Sequence, residues 1–135
     1  MFQVQKRVRF AHCDAAGIVF YPQYLLLEHE VFEDLFRDGL DYPIERSIEG
    51  DRKGLPAVKI EMEFKAPSRC GEILDFTVTT LKLGRTSLSL EYEARCGGEL
   101  RVRIKKVVVR TDLKTGLSEP LPDDLRVRIE RLAAS

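Results

Sequence analysis

The chain has 135 residues with 22 acidic and 22 basic side chains, a size that suits one domain over 1–135. The balanced charge gives no bulk reason to expect nucleic acid or an anionic membrane as partner. No apolar run approaches a membrane span, and the charged, alternating Met1–Arg7 segment is unlike a signal peptide. Cys13, Cys70 and Cys96 are odd in number and widely spaced, which fits a reduced, cytoplasmic protein better than a disulfide scaffold.

In chain order, Phe2, Val4, Val8 and Phe10 fall on one face of a period-two pattern, with Lys6 the exception, and predict a half-buried first strand. From Tyr24 to Asp38 the pattern becomes helical. Tyr24, Leu25, Leu27, Val31, Phe32, Leu35 and Phe36 share one broad face, while Glu30, Glu33, Asp34 and Arg37 lie opposite. Pro22 suits the start of such a helix and Gly39 its end. Residues 40–56, rich in glycine, proline and charge, predict a short helix plus loop.

Strand signals dominate thereafter. Val58, Ile60, Met62, Phe64 and Ala66 alternate with charged residues up to Pro67, and a further strand runs from Leu74 to about Leu83. After Gly84-Arg85, a third runs from Thr86 to Ala94, and Gly97-Gly98 is a favourable hairpin turn into a last strand from about Glu99 to Thr111. Its apolar parity shifts from Leu100, Val102 and Ile104 to Val107 and Val109, which predicts a β-bulge near Lys105-Lys106. Leu125, Ile129 and Leu132 predict an amphipathic helix after Pro122. The sum is an α+β fold: five antiparallel strands wrapped around one long helix. Its exposed sheet edges predict dimerisation through an edge strand.

The chain lacks G-x-S-x-G, G-x-G-x-x-G, a Walker loop and C-x-x-C, and its two histidines have no carboxylate-rich setting for a metal. The basic strand residues lack the aromatic interleaving of a single-strand-binding groove. Asp14 is the leading candidate for chemistry. By residue type alone, an aspartate at such a place is more often a turn former. Its surroundings argue otherwise: Ala15, Ala16 and Gly17 leave room for a ligand, and Ile18, Val19 and Phe20 offer an apolar wall. The helix start near Tyr21 offers free amides and a positive dipole end to an oxygen gaining negative charge.

Of the other candidates, Glu28 falls within the apolar sector of the helix and His29 at its edge. Each is either a boundary or core residue or a group facing a ligand pocket. His12 reads as a packing or capping residue sharing a face with Phe10, and Cys13 as a small inert neighbour. Arg101, Arg103, Lys105, Lys106 and Arg110 read as a solvated face, with a phosphate-binding rim as the alternative.

The stretch from Asp14 through Gly17, Ile18, Val19, Phe20 and Tyr21 to Pro22 and Tyr24 resembles the D-x-A-G-I-V-[WF]-Y-P-x-Y pattern of hotdog-fold acyl-CoA thioesterases, in the 4-hydroxybenzoyl-CoA thioesterase branch. The likeness extends over essentially the whole chain in length and element order. It implies hydrolysis of a small aromatic or short-chain acyl-CoA, with Asp14 as nucleophile or general base and the Tyr21 amide as oxyanion donor. Gly17 would keep the turn close, and Ile18, Val19, Tyr24, Glu28 and His29 would line the substrate site. It implies no metal or organic cofactor, CoA entering as part of the substrate, and a homodimer or homotetramer with sites at the subunit interface. At the position of His29 that branch usually carries a carboxylate, so 4-hydroxybenzoyl specificity does not follow. Two rivals share the fold: a 3-hydroxyacyl-thioester dehydratase using His29 beside Glu28, and a non-catalytic acyl-CoA-binding dimer.

Overall fold

The computed structural model describes all residues from 1 to 135. Its elements are β1 (Phe2–Arg7), α1 (Gln23–Asp34), β2 (Lys53–Gly54), β3 (Ala57–Phe64), β4 (Ile73–Leu83), β5 (Ser87–Cys96), β6 (Glu99–Val109), β7 (Thr111–Asp112) and α2 (Asp123–Ala134). The five long strands form one antiparallel sheet in the order β1-β4-β5-β6-β3. This sheet around a central helix is the hotdog arrangement. Strands β2 and β7 form a separate two-stranded ribbon that the sequence pattern did not reveal. No helix is long and apolar enough to cross a membrane.

Period-two patterning builds the sheet. In β5, Leu88, Leu90, Tyr92 and Ala94 are buried, while the alternate residues Ser87, Ser89, Glu91 and Glu93 are only half-buried. Gly97 and Gly98 both adopt positive φ, as a two-residue turn pairing Cys96 with Glu99 requires. Against the concave face lies α1, contributing Tyr24, Leu27, Val31 and Phe32 to a single core with Leu74, Phe76, Tyr92, Val102 and Ile104. After Asp34 the helix widens into a π-type turn over Leu35–Gly39, so the regular helix is shorter than its apolar pattern suggested. Leu125 and Ile129 of α2 join the same core, as their spacing predicted.

Two expectations at the strand ends need correction. Phe10 does not share a face with His12: it is 80% exposed, whereas His12 is buried. The cause is local. His12 N–H donates to Arg9 O and Cys13 N–H to Phe10 O, forming a tight helical turn in which strand alternation ends. The bulge in β6 is also misplaced in the sequence reading. It falls at Arg101, the residue skipped where Ala94 pairs with Val102 and Arg95 with Leu100. No parity change occurs at Lys105-Lys106, because Val102, Ile104, Lys106 and Val108 all face the core.

Lys106 is tolerated there because Glu28 of α1 meets it inside the core, 2.7 Å apart, the two side chains 4% and 3% exposed. Lys106 Nζ also lies 3.9 Å from the Phe32 ring centroid, so the cation meets both a carboxylate and an aromatic face. Burial still pulls the Lys106 pKa down, opposed by Glu28. Three of the five basic residues expected on a solvated face are therefore buried: Arg101, Lys106 and Arg110. Arg103 is half-buried beside Glu93, and only Lys105 is fully exposed.

Arg101 organises the loop between β3 and β4. Its guanidinium holds Glu72 through two bonds of 2.7 and 3.1 Å and also donates to Pro67 O at 2.9 Å. Glu72 Oε1 additionally accepts Arg69 N–H. These donors, Arg101 first, draw the Glu72 carboxyl down to a pKa of about 2.

Lys106→Met should destabilise the fold by about 3–5 kcal/mol by stranding the Glu28 charge, and adding Glu28→Leu should recover much of the loss. Urea unfolding of the single and double variants measures this, and additive losses would contradict the pairing. Glu72 is held ionised in the folded state, so its contribution is full above about pH 4.5 and disappears as pH falls towards 2. Stability measured across that window should fall less steeply in Glu72→Gln than in the parent. Equal slopes would show that Glu72 is not the group responsible.

Candidate active site

The residues from Cys13 to Val19 double back on themselves. Cys13 and Val19 form an antiparallel bridge, Asp14 N–H donates to Ile18 O, and Gly17 N–H donates to Asp14 O, each of these bonds 3.0 Å long. Gly17 has φ +77°, a conformation that a side chain would strain, so the glycine is what lets this turn close. At its apex one Asp14 oxygen accepts Ala16 N–H at 2.9 Å. This bond orients the exposed carboxylate and leaves its other oxygen open.

The chain then enters α1, and its amides can be followed one by one. Phe20 N–H donates to His12 O, Gln23 to Phe20 O, Tyr24 to Tyr21 O and Leu25 to Pro22 O, while Pro22 has no N–H. Tyr21 N–H is thus the one amide from 20 to 25 without a partner inside the chain. It sits where the helix dipole favours negative charge. A directed carboxylate and a free amide on neighbouring backbone segments are a minimal apparatus for acyl transfer.

The other expected site residues separate into two groups. Ile18 is half-buried beside Arg69, and the exposed Tyr21 ring packs edge-on against Phe20 and Phe64. Val19, Tyr24 and Glu28, expected to line the substrate site, instead point into the core. Val19 packs in the main cluster, Tyr24 donates its hydroxyl to Ser68 Oγ at 2.9 Å, and Glu28 is committed to Lys106. The reason is that the helix face continuing inward from Tyr24 is the face laid on the sheet.

His29 projects the other way and is exposed, its ring stacked on Phe32 with centroids 6.3 Å apart. It borders a cleft of about 460 Å³ between α1 and the 44–56 segment, walled by Phe32, Phe36, Ile44, Ile48 and Leu55. His29 is eight residues beyond Tyr21, roughly 12 Å along a helix at 1.5 Å per residue. Within one chain, the Asp14 turn and the His29 cleft are therefore separate. His12 is buried and accepts Arg9 N–H on Nδ1, the capping role expected of it. Cys13 has a raised pKa, chiefly through burial and then the nearby Cys70, so the thiolate is disfavoured.

Phe64, Ser68 and Glu72 surround this region without having stood out in the sequence. Phe64 was legible only as a strand residue, and Ser68 and Glu72 lie in a loop with no periodic signal.

The chain matches known proteins over almost its whole length. A 1,4-dihydroxy-2-naphthoyl-CoA hydrolase of Synechococcus elongatus is 28% identical over 128 residues, covering 93% of this chain and 92% of that protein. The crystal structure of a 1,4-dihydroxy-2-naphthoyl-CoA thioesterase from Synechocystis superposes with a TM-score of 0.88 at 25% identity, over 95% and 94% of the two chains. A gentisyl-coenzyme A thioesterase superposes at 0.86 with 26% identity, over 95% and 99%. The family model described as the thioesterase-like superfamily matches residues 8–129, and the chain accordingly belongs to that superfamily.

Proposed function

We propose that this protein is an acyl-CoA thioesterase of the 4-hydroxybenzoyl-CoA thioesterase branch, hydrolysing an aromatic acyl-CoA to free acid and CoA. The observation that carries the reading is the pairing of Asp14, oriented by Ala16 N–H, with the unengaged Tyr21 amide at the helix start. The thioester oxygen would accept from Tyr21 N–H, which stabilises the negative charge developing as the carbonyl is attacked. Asp14 would either take a proton from an attacking water or attack directly, forming a mixed anhydride that water then opens. In both routes the C–S bond breaks, CoA departs as thiolate and takes up a proton, and one water is consumed to give the free acid.

An aromatic acyl group suits the printed substrates of the relatives, dihydroxynaphthoyl and gentisyl esters. It also suits the Phe32–Phe36 cleft, where His29 offers a hydrogen-bonding group at the rim. Histidine differs in charge from the carboxylate of 4-hydroxybenzoyl-specific relatives, so the substituent recognised should differ too. The dehydratase alternative loses its catalytic pair: Glu28 is locked to Lys106 in the core while His29 is exposed.

The working unit would be a cytoplasmic homodimer or a homotetramer built from it. Strand β3 is a sheet edge with Val58, Ile60 and Phe64 all exposed, and Phe64 touches Tyr21 beside the Asp14 turn. A second copy added at this edge would cover the apolar row and complete the wall around the helix start. The three cysteines are free, which accords with a reducing compartment.

Asp14→Asn should lower kcat for thiol release from aromatic acyl-CoA substrates by about 10²–10⁴-fold while the protein still binds CoA esters. Comparable turnover in parent and variant would rule out this mechanism, and loss of water from a 3-hydroxyacyl thioester without thiol release would favour the dehydratase. Ile60→Glu should shift the protein to monomer in analytical ultracentrifugation with loss of hydrolysis. A fully active dimer carrying this change would rule out the β3 edge as the interface.

A further inference from the structure

Tyr24 lies three residues beyond Tyr21, yet it cannot act on substrate: it is 4% exposed and its hydroxyl is already engaged by Ser68, itself 1% exposed. Burial raises the Tyr24 pKa, so the phenol stays a neutral donor. What this bond joins is informative. Ser68 O accepts Val19 N–H at 2.9 Å, Arg69 bridges Ile18, and Cys70 N–H donates to Gly17 O at 3.0 Å. Residues 68–70 thus run alongside 17–19, the return arm of the turn that presents Asp14.

The same strip is tied to the sheet at its other end. Glu72 accepts Arg69 N–H at 2.6 Å and is gripped by Arg101 of β6, which also binds Pro67 O. The strip is anchored to β6, the Asp14 turn is bonded to the strip, and the Tyr24–Ser68 bond is the one side-chain hydrogen bond between α1 and the strip. Asp14 belongs to the turn bonded to this strip, and the Tyr21 amide to the start of the helix that the Tyr24–Ser68 bond ties to it.

We propose that the Tyr24–Ser68 hydrogen bond is a positioning latch, holding the helix start that carries the Tyr21 amide in register with the turn that carries Asp14. The proposal rests on the thioesterase reading for its kinetic consequence and on the bond network alone for its structural one. Tyr24 and Ser68 are positioning residues, acting through Tyr21 and Asp14 without touching substrate. A misplacement of about 1 Å between two reacting groups lowers rates by roughly 100-fold, so a loosened junction should appear in kcat while substrate binding is largely kept.

The test uses full-length Tyr24→Phe, Ser68→Ala, Ser68→Thr and the Tyr24→Phe/Ser68→Ala double variant, assayed for thiol release from an aromatic acyl-CoA. The expected result is a kcat about 10–100-fold lower in Tyr24→Phe and Ser68→Ala with KM within about threefold. The double variant should be no worse than either single one, and Ser68→Thr should retain most activity because it keeps the hydroxyl. A purely stabilising bond would instead lower the melting temperature and leave kcat of the folded enzyme unchanged, which would overturn the proposal. Amide hydrogen exchange supplies a readout independent of turnover: Tyr24→Phe should speed exchange at Gly17, Val19 and Cys70 without altering β5. Unchanged exchange at those amides would overturn the latch even if Asp14→Asn abolishes hydrolysis. Faster exchange there would support it even if Asp14→Asn leaves hydrolysis intact, in which case the catalytic reading alone fails.

Discussion

The buried contact between Glu28 and Lys106 sets the position of the central helix on the sheet. Each partner on its own would be costly in an apolar core, since removing a charge from water outweighs what packing returns. Together they satisfy each other only when α1 lies at one height above β6. The Phe32 ring beside Lys106 narrows the choice further, because the cation needs the ring face as well as the carboxylate. Close packing already penalises displaced apolar side chains, and this ion pair adds the cost of a stranded buried charge to any register but the paired one. The start of α1, and with it the Tyr21 amide, inherits that register.

A second constraint approaches the same place from the sheet. The bulge at Arg101 interrupts the β6 ladder and lets its guanidinium reach Glu72 and Pro67 in the β3–β4 loop. That loop lies beside the turn carrying Asp14. The carboxylate is thus exposed at its tip but supported by backbone bonds beneath it, a combination that leaves it reachable without leaving it loose. The role proposed for Asp14 would require such support, because side-chain freedom at reacting atoms lowers rate.

What one chain lacks is enclosure. The Asp14 turn and the His29 cleft open at different places along α1, and the aromatic row of Phe20, Tyr21 and Phe64 faces outward beside a free sheet edge. The same exposed edge is where the proposed second copy would cover the apolar row.

Much of this was legible in the chain of letters. Alternation marked the five long strands, 3.6-residue periodicity marked α1 and α2, and Gly97-Gly98 marked the hairpin, because each of these depends on neighbours in sequence. The run from Asp14 to Tyr24 likewise marked the turn that presents Asp14 and the helix start, since a tight glycine turn leading into Pro22 is a local property. Tertiary structure alone decided the roles of the residues between. Glu28 and Lys106 are 78 positions apart, and their opposite charges made sense inside the core only once the helix lay on the sheet. That pairing is why an unbroken parity in β6 looked like a bulge, and why the true bulge at Arg101 went unseen. Tyr24 gave no sign in sequence that its partner would be Ser68, 44 residues on, or that it would serve the core instead of the substrate. Local periodicity says which face a residue takes; which partner waits on that face depends on long-range packing.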